Sequence, residues 1–135
     1  MRILIPDAIF LGEATIEQSV CPPGVEIDLR RGTTPVDIPD DIWRACTAIV
    51  MWQVMNLSAE TIAKLDNCRV IARAGVGFDG IDLTAAAKKG IPVCNCPDYG
   101  TTDVADHAIA LYLALSRGIS FFQDALRANV VKRWD

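Results

Sequence analysis

The densest concentration of chemistry-bearing residues is the run Arg73-Ala74-Gly75-Val76-Gly77-Phe78-Asp79-Gly80. Gly75, Gly77 and Gly80 match the G-x-G-x-x-G spacing with which a strand-to-helix turn cradles a dinucleotide pyrophosphate. Asp98, on the far side of the next strand, stands where a ribose-binding acid belongs. Three features argue against that use. Asp82 is the better helix N-cap, so the helix should start beyond Gly80 rather than around Gly77, where its free N–H groups would meet a phosphate. Asp79 sets a carboxylate beside the diphosphate, and like charges repel. A fingerprint also belongs to the first strand of its unit, and three candidate strands precede this one. What remains is a small-anion site. Glycines let the backbone approach a ligand and turn its N–H groups toward it, and Arg73 adds a permanent charge able to grip a carboxylate through two hydrogen bonds. A tight turn with an arginine on the surface accounts for the same spacing equally well.

Other candidates carry less. His107 is the only histidine; it follows Asp106 directly, and neighbouring helix positions point apart, so Asp106 cannot orient it and a surface or packing role is expected. Cys94-Asn95-Cys96 has no further Cys or His nearby and is not a metal ligand set; on a strand both thiols face one side, toward packing. Trp52, after the third strand, borders a ligand or sits in the core or rim. We expect no metal site.

The elements that must position these groups alternate between short β-rich runs and helical patterns, as in a parallel sheet covered on both faces. Strands are expected over residues 2–6, 25–29, 47–51, 70–74 and 91–94, and right-handed crossovers favour a flavodoxin-like α/β order, 2-1-3-4-5. Helices are expected over 13–20, 40–44, from Ser58 to about Asn67, and over 83–89, where Asp82 caps the start and Gly90 the end. Thr101 or Thr102 should cap a long helix over 103–128, apolar on nearly every side, a pattern that calls for burial all round. That helix wants a partner beyond one small sheet.

The 135 residues fit one domain, and 51% hydrophobic residues with a net charge of −4 exclude disorder. Thirteen Lys and Arg against seventeen Asp and Glu, without a basic run, give nucleic acid no surface. The longest apolar segment, 108–115, is too short to span a bilayer. No signal peptide is legible, and five cysteines, several inside apolar runs, read as free thiols of a reduced, cytoplasmic protein.

The stretch 70–83, the segment 86–97 and Val104-Ala105-Asp106, in this order and spacing, resemble the amino-terminal part of the NAD-dependent D-2-hydroxyacid dehydrogenases. Met51-Trp52, Gly77-Phe78-Asp79 and Val93-Cys94-Asn95 are similar to the branch containing the C-terminal-binding-protein co-repressors. The resemblance implies a flavodoxin-like substrate or lid domain, residues 1–100, followed by an interdomain and dimerisation helix that opens a truncated NAD-binding domain, 101–135. It implies that Arg73, Gly75 and the amides of Val76 and Gly77 hold the substrate carboxylate, with Trp52 nearby, and that Val76 and Val104 line the nicotinamide pocket. The family's dinucleotide fingerprint and its catalytic Arg, Glu and His follow the crossing helix, so none is expected in these residues. The chain by itself is expected to be inactive and to bind NAD weakly, while its parent transfers hydride between NADH and a 2-keto acid. Two alternatives stand: a free-standing flavodoxin-like module that binds a carboxylate or a protein, and a nucleotide binder using Gly75, Gly77 and Gly80.

Overall fold

The computed structural model describes residues 1–9 and 12–128, and the chain divides after Pro97 into two units. In the first unit, β1 (Arg2–Ile5), β2 (Glu26–Leu29), β3 (Ala48–Met51), β4 (Ile71–Arg73) and β5 (Val93–Cys94) form one sheet. Its order is β2-β1-β3-β4-β5 and every pairing is parallel, as the alternating pattern implies. The strands are shorter than the β-rich runs. Pro92 illustrates why: it lacks an N–H, so it contributes to the ladder only through its carbonyl, which accepts from Ile71.

Between the strands lie α1 (Thr15–Val20), α2 (Asp40–Ala45), α3 (Ala59–Ala63) and α4 (Leu83–Lys88). The caps read from sequence are present. Ser58 accepts from the Thr61 amide, Asp82 accepts from the Ala85 amide at 2.9 Å, and Gly90 takes a left-handed φ of +70° after α4. A 3₁₀ turn over Pro35–Asp37 has no counterpart in the sequence reading. There the Asp37 carboxylate accepts from the Thr33 and Thr34 amides, both at 2.8 Å.

The two faces of the sheet are unequal. Leu4, Ile49, Met51 and Ile71 are buried against Trp43 of α2, Ile62 of α3 and Ala86 of α4. On the other face Ile3, Ala48, Val50 and Ala72 are only half-buried and line an open groove of about 570 Å³. The expected cover on both faces is therefore incomplete among the described residues: α1 buries none of its own side chains.

In the second unit the single long helix expected over 103–128 is two. Helix α5 spans Thr101–Ser116 and α6 spans Ile119–Arg127. Gly118 separates them at φ +63°, a left-handed conformation that ends a helix at little steric cost and that other residues avoid. Neither Thr101 nor Thr102 is the cap; Gly100 holds that position, with no side-chain hydrogen bond. No residue of either helix is buried, and no helix among the described residues is long and apolar enough to cross a membrane.

Candidate functional site

In open parallel sheets ligands bind outside the carboxyl ends of the strands, at the point where strand order reverses. Here that point lies between β1 and β3, and the chain itself fills it. Asp7, directly beyond β1, is 1% exposed, and its carboxylate accepts from the amides of Trp52 at 2.8 Å, Val54 at 3.0 Å and Met55 at 3.1 Å. Three N–H donors satisfy the buried charge and fix the turn that follows β3. The signal of Asp7 in the sequence is an acid immediately after an apolar strand.

One strand further on, the carboxyl ends of β3 and β4 open on a cavity of about 130 Å³. Met51, Trp52, Asn56, Arg73, Gly77 and Asp79 are among the residues that line it. Arg73 is its only cation among the described lining residues, and no described residue forms a hydrogen bond or an ion pair with the guanidinium. Gly75 lies beneath it: a Cβ built there would meet Arg73 Nη1 at 2.6 Å. The φ of Gly75 is not left-handed, so what a side chain there would disturb is the position of the guanidinium rather than the backbone.

The loop after β4 is polarised in one direction. The carbonyls of Gly75, Val76, Phe78 and Gly80 accept from the Cys96 amide, Asn95 Nδ2, the Ile81 amide and the Leu57 amide, at 2.8–3.1 Å. The amides of Val76 and Gly77 donate to no acceptor among the described residues. Occupied carbonyls at Gly75, Val76, Phe78 and Gly80 beside free amides at Val76 and Gly77 favour an anion, and Arg73 adds to that preference. Asp79 in the same lining limits it to an anion small enough to avoid that carboxylate.

The structure thus brings Trp52, Arg73 and Gly77 to one cavity, with Gly75 under the guanidinium. Val76 sits on the loop, half exposed, and does not line the cavity. Val104 belongs to the second unit, on the first turn of α5, and is exposed. His107 is exposed on α5. Cys94 and Cys96, expected to face packing, are exposed, because β5 is an edge strand that ends at Cys94. No group of three Cys, His, Asp or Glu that could hold a metal occurs among the described residues.

A dinucleotide does not fit these residues. Asp82 begins α4, Gly80 stays in the loop, and no helix N-terminus stands behind Gly77. The cavity also falls well below the ~300–1,000 Å³ that encloses a drug-sized ligand.

Fold and site together define an open parallel α/β domain with a small cavity, lined by Arg73, at the ends of its central strands. The family model for the D-isomer specific 2-hydroxyacid dehydrogenase catalytic domain matches residues 8–133, and the chain belongs to that family. It is 38% identical over 96 residues to a D-3-phosphoglycerate dehydrogenase of Archaeoglobus fulgidus, covering 71% of this chain and 18% of that one. A D-3-phosphoglycerate dehydrogenase of Methanocaldococcus jannaschii is 32% identical over all 135 residues, which amount to 24% of its length. Among solved structures, D-lactate dehydrogenase of Aquifex aeolicus, crystallised with NAD and lactic acid, superposes with a TM-score of 0.84 at 21% identity. That match covers 98% of this chain and 39% of that one and speaks to the fold alone. An NADPH-dependent glyoxylate/hydroxypyruvate reductase of Sinorhizobium meliloti, solved with citrate, matches at 29% identity and a TM-score of 0.76, over 94% of this chain and 38% of its own. The chain spans less than a quarter of the length of these curated relatives.

Proposed function

We propose that the chain is the substrate-binding part of an NAD-dependent D-2-hydroxyacid dehydrogenase, and that Arg73 with the amides of Val76 and Gly77 holds the carboxylate of a small 2-keto or 2-hydroxy acid. The polarity of the loop after β4 carries this reading: four of its carbonyls are engaged, the Val76 and Gly77 amides are free, and the Arg73 guanidinium is unpaired among the described residues. Trp52 lines the same cavity as Arg73. Exposed Val76 and Val104 offer apolar contact to a nicotinamide held by residues outside this chain. Hydride transfer needs that cofactor and an acid or base on the substrate oxygen, which on this reading come from other residues. The role left to the residues of this chain is to bind and orient the acid.

On the same reading, residues 1–100 act as the lid and 101–135 as the interdomain segment. The exposed apolar side chains of α5, among them Ile109, Tyr112 and Leu115, serve homodimerisation in a cytoplasmic enzyme. The similarity to the co-repressor branch rests on its three short segments alone, while the relatives matched by sequence above are phosphoglycerate dehydrogenases. Dehydrogenase activity is therefore the reading adopted.

The test is NADH oxidation by the full-length protein across a set of 2-keto acids. Arg73→Ala should raise KM about ten- to a hundredfold, the equivalent of losing a charge-assisted contact of ~1.5–3 kcal/mol. An unchanged KM would place the carboxylate clamp elsewhere.

A further inference from the structure

Cys46 and Cys68 take no part in the site described above, yet the fold brings them together. Cys46 follows α2 and Cys68 precedes β4, and the ladder between β3 and β4 reaches back to a bond from the Arg69 amide to the Thr47 carbonyl at 2.9 Å. Each cysteine immediately precedes its residue of that rung. Each thiol donates to a nearby carbonyl, Cys46 to Trp43 and Cys68 to Val70, both at 3.3 Å. Both belong to the buried core, Cys46 at 0% exposure and Cys68 at 8%.

We infer that Cys46 and Cys68 form a reversible oxidation site, closed to a disulfide by hydrogen peroxide or an organic hydroperoxide. Adjacent backbone rungs hold their Cα atoms at the kind of separation that a disulfide needs, ~4.4–6.8 Å. The two thiols differ in character. The neighbouring Cys46 thiol brings the Cys68 thiol down to about 7 against the opposing effect of burial, while Cys46 itself is pushed up by Cys68 and by burial. Cys68, more ionised and at the edge of the core, is the sulfur that meets the oxidant.

The chemistry balances in two steps. The Cys68 thiolate attacks the O–O bond of the peroxide, two electrons pass from sulfur to oxygen, and Cys68 becomes a sulfenic acid as water or an alcohol leaves. The Cys46 sulfur then attacks the Cys68 sulfenic sulfur, the S–S bond forms, and the hydroxyl departs with the Cys46 proton as a second water. Two thiols and one peroxide give one disulfide, and a small dithiol reverses it. The pair sits at the start of β3 and β4, whereas the anion cavity opens at their far ends, so this site stands or falls independently of the proposed function.

Peptide mapping without reduction tests it on the whole chain treated with hydrogen peroxide. The expected product is a Cys46 peptide linked to a Cys68 peptide, 2 Da lighter than the pair, which dithiothreitol separates. In Cys46→Ser the same treatment should leave a sulfenic acid at Cys68 that dimedone captures. Recovery of both thiols free after oxidation and unfolding would overturn the inference. So would linkage of either one to Cys21, Cys94 or Cys96 instead.

Discussion

At the scale of the residue, a single geometric relation decides how Arg73 works. Its guanidinium lies over Gly75, so a methyl at that position would meet Nη1 at 2.6 Å and only the flexible side chain can yield. Gly75→Ala should therefore leave the fold and melting temperature nearly unchanged while it displaces the guanidinium and weakens binding of a small carboxylate. Urea unfolding and a binding titration on the same sample separate the two effects. A variant that binds as wild type would show that Arg73 does not reach its ligand from this position. The literal G-x-G-x-x-G of the same loop was legible in sequence, and so was the reason to read it otherwise, because Asp82 caps α4 where the competing use needs a helix to begin at Gly77. Whether Arg73 met an anion or only solvent could not be decided from spacing. The support for an anion lies in which backbone carbonyls the loop engages, and those bonds reach to Leu57 and Asn95, far along the chain.

Among the elements, the turn after β3 depends on a carboxylate from β1. Asp7→Ala would strand the amides of Trp52, Val54 and Met55 in a buried setting. A loss of ~2 kcal/mol or more is expected in denaturant unfolding, together with a less ordered Trp52 in fluorescence. A smaller loss would mean that water replaces the carboxylate. The Pro35–Asp37 turn makes a prediction in pH. The Thr33 and Thr34 amides hold the exposed Asp37 carboxyl below its ordinary range. Its contribution to stability is thus present above pH ~4 and disappears as pH falls through the lowered value. Asp37→Asn should melt below wild type at pH 7 and converge with it in strong acid; a gap that persists there would point to packing instead.

Local signals were legible wherever one residue decides the outcome, as at Ser58, Asp82 and Gly90. They misled where two competed. The apolar run after Asp103 reads as a single helix, and Gly118 breaks it by taking the left-handed conformation. Alternation placed Cys94 and Cys96 against packing, but an edge strand of two residues has little to pack against. Asp7 went unread because its partners lie some 45 residues away and no periodicity marks them.

For the molecule as a whole, one sheet face carries the core and the other is left partly open, while α5 and α6 keep their apolar side chains exposed. Both features fit a chain that spans 18–24% of its phosphoglycerate dehydrogenase relatives. The proposed function rests on the loop after β4 and on Arg73. The most direct test is a nitrogen-15 NMR titration of the chain with pyruvate as the probe carboxylate. The account predicts that the Val76 and Gly77 amides shift together with Arg73 Nε, and that Arg73→Ala removes the response. Amides that stay in place as pyruvate is added, or that shift equally in Arg73→Ala, would contradict it.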